Sequence, residues 1–376
     1  MENEPGIIGD TTRDWSPEGD AAMAEPVPAE LLACIGARQD SPVTRAWKAA
    51  GGVASGNWEA VFGDDGAEFM TAWSIANYID AIAAAGKEIY DDIVYYVNVW
   101  LDFNTWNVPG MSYPSGGAVT KTLDIWKCAT RAIDFISPDN YKPDVETYWH
   151  IMDVYARDDN PLYIPESGNT NANIRGIFRT IAEKNCIGNH IFGIERIFQN
   201  DGQPRPIHQQ IAKSMRMVSA VIPLINRYQG TGRITAVTQN AGQMSQLYDF
   251  GDWVALAEFG KKPWPQAKTD YLHMDDQNEP GELGRGLVFQ AGPDEFYIVG
   301  DGIRLHFDRK IKSGRTSQIQ MSDFLQTRSV NYAIHTEGRF DDCGAYVVNR
   351  HRNGDENDFG VWMSEDVGVV HVLLTD

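Results

Sequence analysis

Ile93-Val-Tyr-Tyr-Val-Asn-Val-Trp-Leu101 is the stretch on which the fold turns. It is β-branched, aromatic and almost continuously apolar. A strand with one wet face alternates apolar and polar residues. A run without that alternation reads as a strand buried on both faces, the habit of parallel sheets covered by helices. Just upstream, residues 68–85 place Phe69, Met70, Trp73, Ala76, Ile79, Ile82 and Ala83 on one helical stripe, with Gly86 where a C-cap is expected. Downstream the alternation recurs. Residues 120–130 read as a helix and 132–137 as a strand, 145–157 as a helix and 162–165 as a short strand, 171–185 as a helix and 188–194 as a strand. A long helix over 206–228 closes the series. Strands alternating with helices at a spacing of roughly 30 residues predict a parallel sheet of βα units.

Outside this block the composition changes. Residues 1–66 are rich in Gly, Pro, Asp and Ala and read as loop. At Gln229-Gly-Thr-Gly232 the pattern shifts to short, β-branched, turn-bounded segments such as Arg233-Ile-Thr-Ala-Val-Thr238 and Glu295-Phe-Tyr-Ile-Val299, the signature of an antiparallel sandwich. Residues 261–284, rich in Pro, Asp, Gln and Glu, read as a surface loop. Two domains are therefore expected, 1–229 and 230–376. A chain of 376 residues, 43% of them hydrophobic, can bury two such cores.

Charge and motif content exclude several function classes. With 52 acidic against 32 basic residues the formal charge is −20, which repels phosphate backbones and argues against a nucleic-acid partner. A neutral sugar would be indifferent to it. No stretch has the apolar length of a membrane helix, so no membrane partner is expected, and Met1-Glu-Asn-Glu-Pro-Gly-Ile-Ile-Gly-Asp10 lacks the pattern of a signal peptide. No GxGxxG loop follows a strand and no GxSxG elbow is present. Cys34, Cys128, Cys186 and Cys343 are widely spaced and read as four separate thiols. His190 falls inside an expected strand and reads as a core residue, while His150 and His208 lie on helices at no ligand spacing, so neither metal nor cofactor is expected. Glu195-Arg196 reads as an internal ion pair.

Two acidic motifs carry the chemistry. One is Glu2-Asn3-Glu4-Pro5-Gly6. The other is Pro161-Leu-Tyr-Ile-Pro-Glu166-Ser-Gly168, where a carboxylate sits just past a buried strand. The C-terminal ends of parallel strands face the active site in barrel enzymes. On this motif alone a competing reading stays open, that Glu166 caps the next helix or forms a loop ion pair.

Taken with Tyr96-Val-Asn-Val-Trp-Leu101, Pro109-Gly-Met-Ser-Tyr-Pro-Ser-Gly-Gly117, Ser137-Pro-Asp-Asn-Tyr141, Gly338-Arg-Phe-Asp341 and Arg352-Asn-Gly-Asp355, the two motifs resemble the bacterial family 35 β-galactosidases. The resemblance implies the C-terminal half of a (β/α)8 TIM barrel, from the end of strand four to helix eight, followed by an antiparallel β-sandwich-like domain. It implies a retaining glycosidase acting on β-galactoside oligo- or polysaccharide, with Glu166 as nucleophile, Glu4 as acid/base and no cofactor. Asn3 would hold the sugar 2-hydroxyl and Tyr141 would bond Glu166 or the sugar. Trp100, Trp106 and Tyr113 would offer aromatic faces to the ring. Members of that family are often periplasmic or extracellular. Barrel strands one to three and the body of strand four have no counterpart in this sequence. That departure implies a fraying Glu4, impaired catalysis by the chain alone, and an apolar edge at residues 93–101 that favours self-association. Two other readings remain open: a β-mannosidase or β-glucosidase of the same clan, and a non-catalytic fragment that binds carbohydrate or packs on a partner.

Overall fold

The computed structural model describes residues 3–38, 40–103, 106–260, 283–310, 330–358, 360–364 and 367–375. Glu2 and nearly all of the expected surface loop at 261–284 lie outside them. The chain divides into two compact units, residues 1–167 with 187–191, and residues 168–186 with 192–376.

The first unit opens with helices rather than the expected loop. They are α1 (Pro17–Ala24), α2 (Ala29–Ala37), α3 (Pro42–Ala49) and α4 (Trp58–Phe62). Capping explains three of them. Ser16, Ser41 and Asn57 accept backbone N–H bonds from Gly19, Thr44 and Ala60, and Pro17 and Pro42 occupy first-turn positions where no N–H is needed. Such short helices carry too little periodicity to stand out from loop. The longer α5 (Gly66–Lys87) buries Phe69, Met70, Ala76, Ile79 and Ala83 of its expected stripe, whereas Trp73 is half-buried and Ile82 exposed.

Four short strands follow: β1 (Tyr96–Val99), β2 (Phe135–Pro138), β3 (Tyr163–Ile164) and β4 (Gly188–Asn189). β1 pairs with β2 and β3 with β4, both in parallel. Between β2 and β3 the Asn160 side chain replaces a ladder rung, accepting from Ile136 N at 2.8 Å and donating to Ile136 O at 2.9 Å. The helices α6 (Leu123–Ala129) and α7 (Val145–Tyr155) sit where the pattern placed them. The strands are shorter than the apolar runs that announced them; Ile93, Val94 and Trp100 are exposed. His190 is also exposed, lying just past β4, where its Nε2 meets the Tyr163 hydroxyl at 3.2 Å, so it is no core residue. Cys34 on α2 and Cys128 on α6 form a disulfide, which corrects the reading of four separate thiols; Cys186 and Cys343 are not disulfide-bonded.

The second unit holds α8 (Asn171–Lys184), α9 (Gln209–Ala220), α10 (Ile222–Tyr228) and all the antiparallel sheet. The long helix expected over 206–228 breaks at Val221, because Pro223 lacks the N–H that a continuous helix would use. The strands are β5 (Ile234–Thr238), β6 (Ser245–Phe250), β7 (Trp253–Phe259), β8 (Arg285–Gln290), β9 (Glu295–Asp301), β10 (Ile303–Arg309), β11 (Asn331–Phe340), β12 (Tyr346–His351), β13 (Val361–Trp362) and β14 (Val369–Thr375). They form a four-stranded sheet, β13-β10-β7-β6, and a six-stranded sheet, β12-β11-β14-β9-β8-β5. Both sheets feed one hydrophobic core, including Trp253, Phe259, Phe296, Phe307, Val361 and Val372. Arg285, buried on β8, is held by Asp301 and by Ser214 of α9, so α9 belongs with this sheet rather than with the strands before it. The expected break at 229/230 therefore gives way to a division that keeps α8 to α10 with the β strands. Glu195 and Arg196 lie 3.8 Å apart with both side chains largely in solvent, a surface contact rather than an internal pair. The architecture is mixed α/β followed by a large antiparallel region, and all its sheets are open.

Candidate active site

Strand ends of the first unit build the site. β1, β2 and β3 run in the same direction, so the residues that follow them emerge on one side. Asn98 lies in β1, Asp139 and Tyr141 follow β2, and Glu166 lies just past β3. A parallel bridge from Asn140 to Ser167 fixes the last two segments against each other, with Asn140 N donating to Glu166 O at 2.9 Å.

Glu4 is supplied by the N-terminal segment. That segment is tied down rather than frayed. Ile7 and Ser115 exchange two backbone hydrogen bonds of 2.9 Å, and the Gly9 and Asp10 N–H groups both reach Gly110 O. Gly110 is required there: its φ is +79°, and a Cβ would stand 1.9 Å from Thr11 O. Glu4 itself holds φ +46°, which non-glycine residues adopt at a cost of about 1 kcal/mol or more, so packing over-determines it. Asn98 supplies part of that constraint. Its Oδ1 accepts from Glu4 N at 3.4 Å, and its Nδ2 donates to Asn3 Oδ1 at 2.8 Å and to Asp139 Oδ2 at 2.9 Å.

The result is a cluster of three carboxyl groups. One oxygen each from Glu4, Asp139 and Glu166 lies within 4.8 Å of the others. Burial pushes the Glu4 carboxyl up; a hydrogen bond with Asp139 opposes this and the charge of Glu166 adds to it. Asp139 is pushed to about 8, first by burial and then by the charge of Glu166. The Tyr141 hydroxyl donates to Glu166 Oε2 at 2.7 Å, and burial followed by that bond raises its own pKa. Among the described residues this is the grouping with donor atoms close enough to hold a metal ion. A cation would require ionised carboxylates, whereas burial drives Glu4 and Asp139 toward their neutral forms, so the arrangement suits a shared proton better.

The other sequence-derived candidates divide. Asn3, Trp100, Trp106 and Tyr141 are exposed and available to a ligand, Trp100 directly after β1 and Trp106 on the segment leading to α6. Tyr113 is not: only 3% exposed, it donates to the buried Glu68 at 2.9 Å, which also pairs with Lys121. It is a core residue of the α5 packing and is withdrawn as a sugar contact. Asn98 and Asp139 are the functional candidates that the sequence reading passed over. Each had a signal: a lone amide inside an apolar strand, and a carboxylate at a strand end, the criterion that singled out Glu166.

Residues 211–364 match the family described as "Domain of unknown function (DUF5597)". The match begins inside α9 and runs through β13, so it falls wholly within the second unit. No curated protein matches the chain.

Proposed function

We propose that the chain carries the carboxyl pair of a retaining glycoside hydrolase of the β-galactosidase type, on strands of the (β/α)8 kind. One observation carries the reading: oxygens of Glu4 and Glu166 approach within 4.8 Å. Retaining enzymes hold their carboxyl groups about 5–5.5 Å apart, whereas inverting enzymes need about 6.5–9.5 Å to admit a water. The short separation favours direct attack on the sugar.

Each residue then has a defined task. Glu166 attacks the anomeric carbon, and its bond from Tyr141 on one oxygen orients the other. Glu4, whose carboxyl is raised by burial, protonates the departing glycosidic oxygen. The glycosyl–Glu166 ester is then hydrolysed by a water that Glu4, now ionised, deprotonates. Asn3 has its carbonyl oxygen taken by Asn98, which leaves its NH2 to donate to a sugar hydroxyl. Trp100 and Trp106 supply apolar faces for the ring. The choice of galactose rests on the sequence motifs that resemble those of family 35 β-galactosidases.

Hydrolysis of an aryl β-galactoside by the purified chain tests the reading. Turnover should fall by several orders of magnitude in Glu166→Gln and in Glu4→Gln. Turnover that survives both substitutions sinks it.

A further inference from the structure

We propose that Asp139 is a third working carboxyl of this site: undissociated, it donates a hydrogen bond from Oδ1 to Glu4 and holds that side chain in register with Glu166. The inference rests on the glycosidase reading and assigns Asp139 as a positioning residue.

Asp139 is 5% exposed, and its backbone is locked by a bond from its N–H to Val99 O at 3.1 Å. Oδ2 accepts from Asn98 Nδ2. Oδ1 is buried with no donor directed at it. A buried carboxylate oxygen without a donor is costly, whereas a carboxylic acid needs an acceptor instead of a donor. The available acceptor is Glu4, with which Asp139 makes side-chain contact. Two carboxylates at this distance repel unless one keeps a proton. Since Asn98 can only donate through Nδ2, it fixes Oδ2 as the acceptor and Oδ1 as the oxygen carrying the proton.

The surroundings agree. Glu4 faces Asp139 from the N-terminal segment, Glu166 from beyond β3, and Tyr141 from its own segment; Tyr155 on α7 is the other titratable group near enough to interact with it. A midpoint near 8 keeps the group neutral over most of the physiological range. In the glycosylation step Glu4 passes its proton to the leaving oxygen and becomes an anion. The Asp139 O–H bond strengthens at that moment, because a donor to a charged acceptor is about twice as strong as a neutral one. The same bond keeps Glu4 ionised to deprotonate water afterwards. No proton leaves Asp139 in either step.

The test compares Asp139→Asn with Asp139→Ala in the full chain, by carboxyl-carbon NMR titration and by aryl β-galactoside kinetics. An asparagine can reproduce the arrangement, accepting from Asn98 through Oδ1 and donating to Glu4 through Nδ2. Expected is an aspartate resonance titrating near 8 in the native chain and lost in both variants. The Glu4 midpoint should hold in Asp139→Asn and rise in Asp139→Ala. Turnover near pH 6 should stay within about threefold in the first variant and fall at least tenfold in the second, with KM little changed. A Glu4 midpoint that ignores Asp139→Ala, or an Asp139 signal in the ordinary carboxylate range, overturns the proposal. Coupled titration in a chain that never hydrolyses a galactoside refutes the glycosidase reading instead, and with it the catalytic purpose of the bond.

Discussion

Cutting the Cys34–Cys128 disulfide by the double substitution to alanine should destabilise the first unit by a calculable amount. The bond closes a loop of 94 residues between α2 and α6. In the chain-entropy account a crosslink over that length removes about 4.7 kcal/mol of freedom from the unfolded ensemble at 25 °C, a ceiling that native strain or residual structure can only reduce. The unit has roughly 170 residues, so at about 2.1 cal/mol/K per residue its unfolding entropy near 60 °C is about 0.36 kcal/mol/K. The expected fall in melting temperature is therefore about 13 °C, with half that a reasonable lower figure. Calorimetry reads the shift, and hydrogen exchange on α6 shows that it belongs to this unit. Thiol titration of the denatured, unreduced chain should find two free groups, Cys186 and Cys343. Four titrating thiols, or a shift below about 2 °C in the double variant, would refute the reasoning.

Other predictions follow from single groups. Tyr141→Phe removes the donor to Glu166 and should lower kcat/KM about 10- to 100-fold, the worth of one hydrogen bond to a charged group, with folding unchanged by circular dichroism. His335, buried on β11 beside Arg352, is pushed down to about 4, first by burial. A histidine held neutral in the fold contributes stability that is full above about pH 6.5 and lost as pH falls toward 4. Denaturant unfolding of the second unit should therefore weaken by about 3 kcal/mol across that window, and His335→Gln should flatten the dependence. Tyr78, Ile82, Ile89, Tyr90, Ile93 and Val94 leave an apolar surface on α5 and ahead of β1, and among the described residues β1 has a partner strand on one side only. Self-association is expected from such an edge, and a strict monomer by light scattering at high concentration contradicts it.

What could be read from sequence depended on whether the signal was local. The βα rhythm was visible because buried strands and amphipathic helices differ in period, and Glu166 stood out as a charge at the end of an apolar run. The antiparallel region announced itself by short turn-bounded segments. Burial partners were not legible. Helical periodicity in α8 and α9 says that one face is covered, not that a β strand covers it. Tyr113 and Trp106 share one stretch, and only packing sends the first beneath α5 and the second to solvent. The pairing of Cys34 with Cys128 spans 94 residues and leaves no local trace. Asn98 looks like a tolerated polar residue until three hydrogen bonds show it holding Asn3, Glu4 and Asp139 together.

The claim that Glu166 is a nucleophile has a direct measurement. Incubation with a 2-deoxy-2-fluoro-β-galactosyl fluoride, followed by proteolysis and mass spectrometry, should yield one sugar adduct per chain on the peptide containing Glu166, absent in Glu166→Gln. An adduct on a different residue, or none at saturating reagent, would contradict the account.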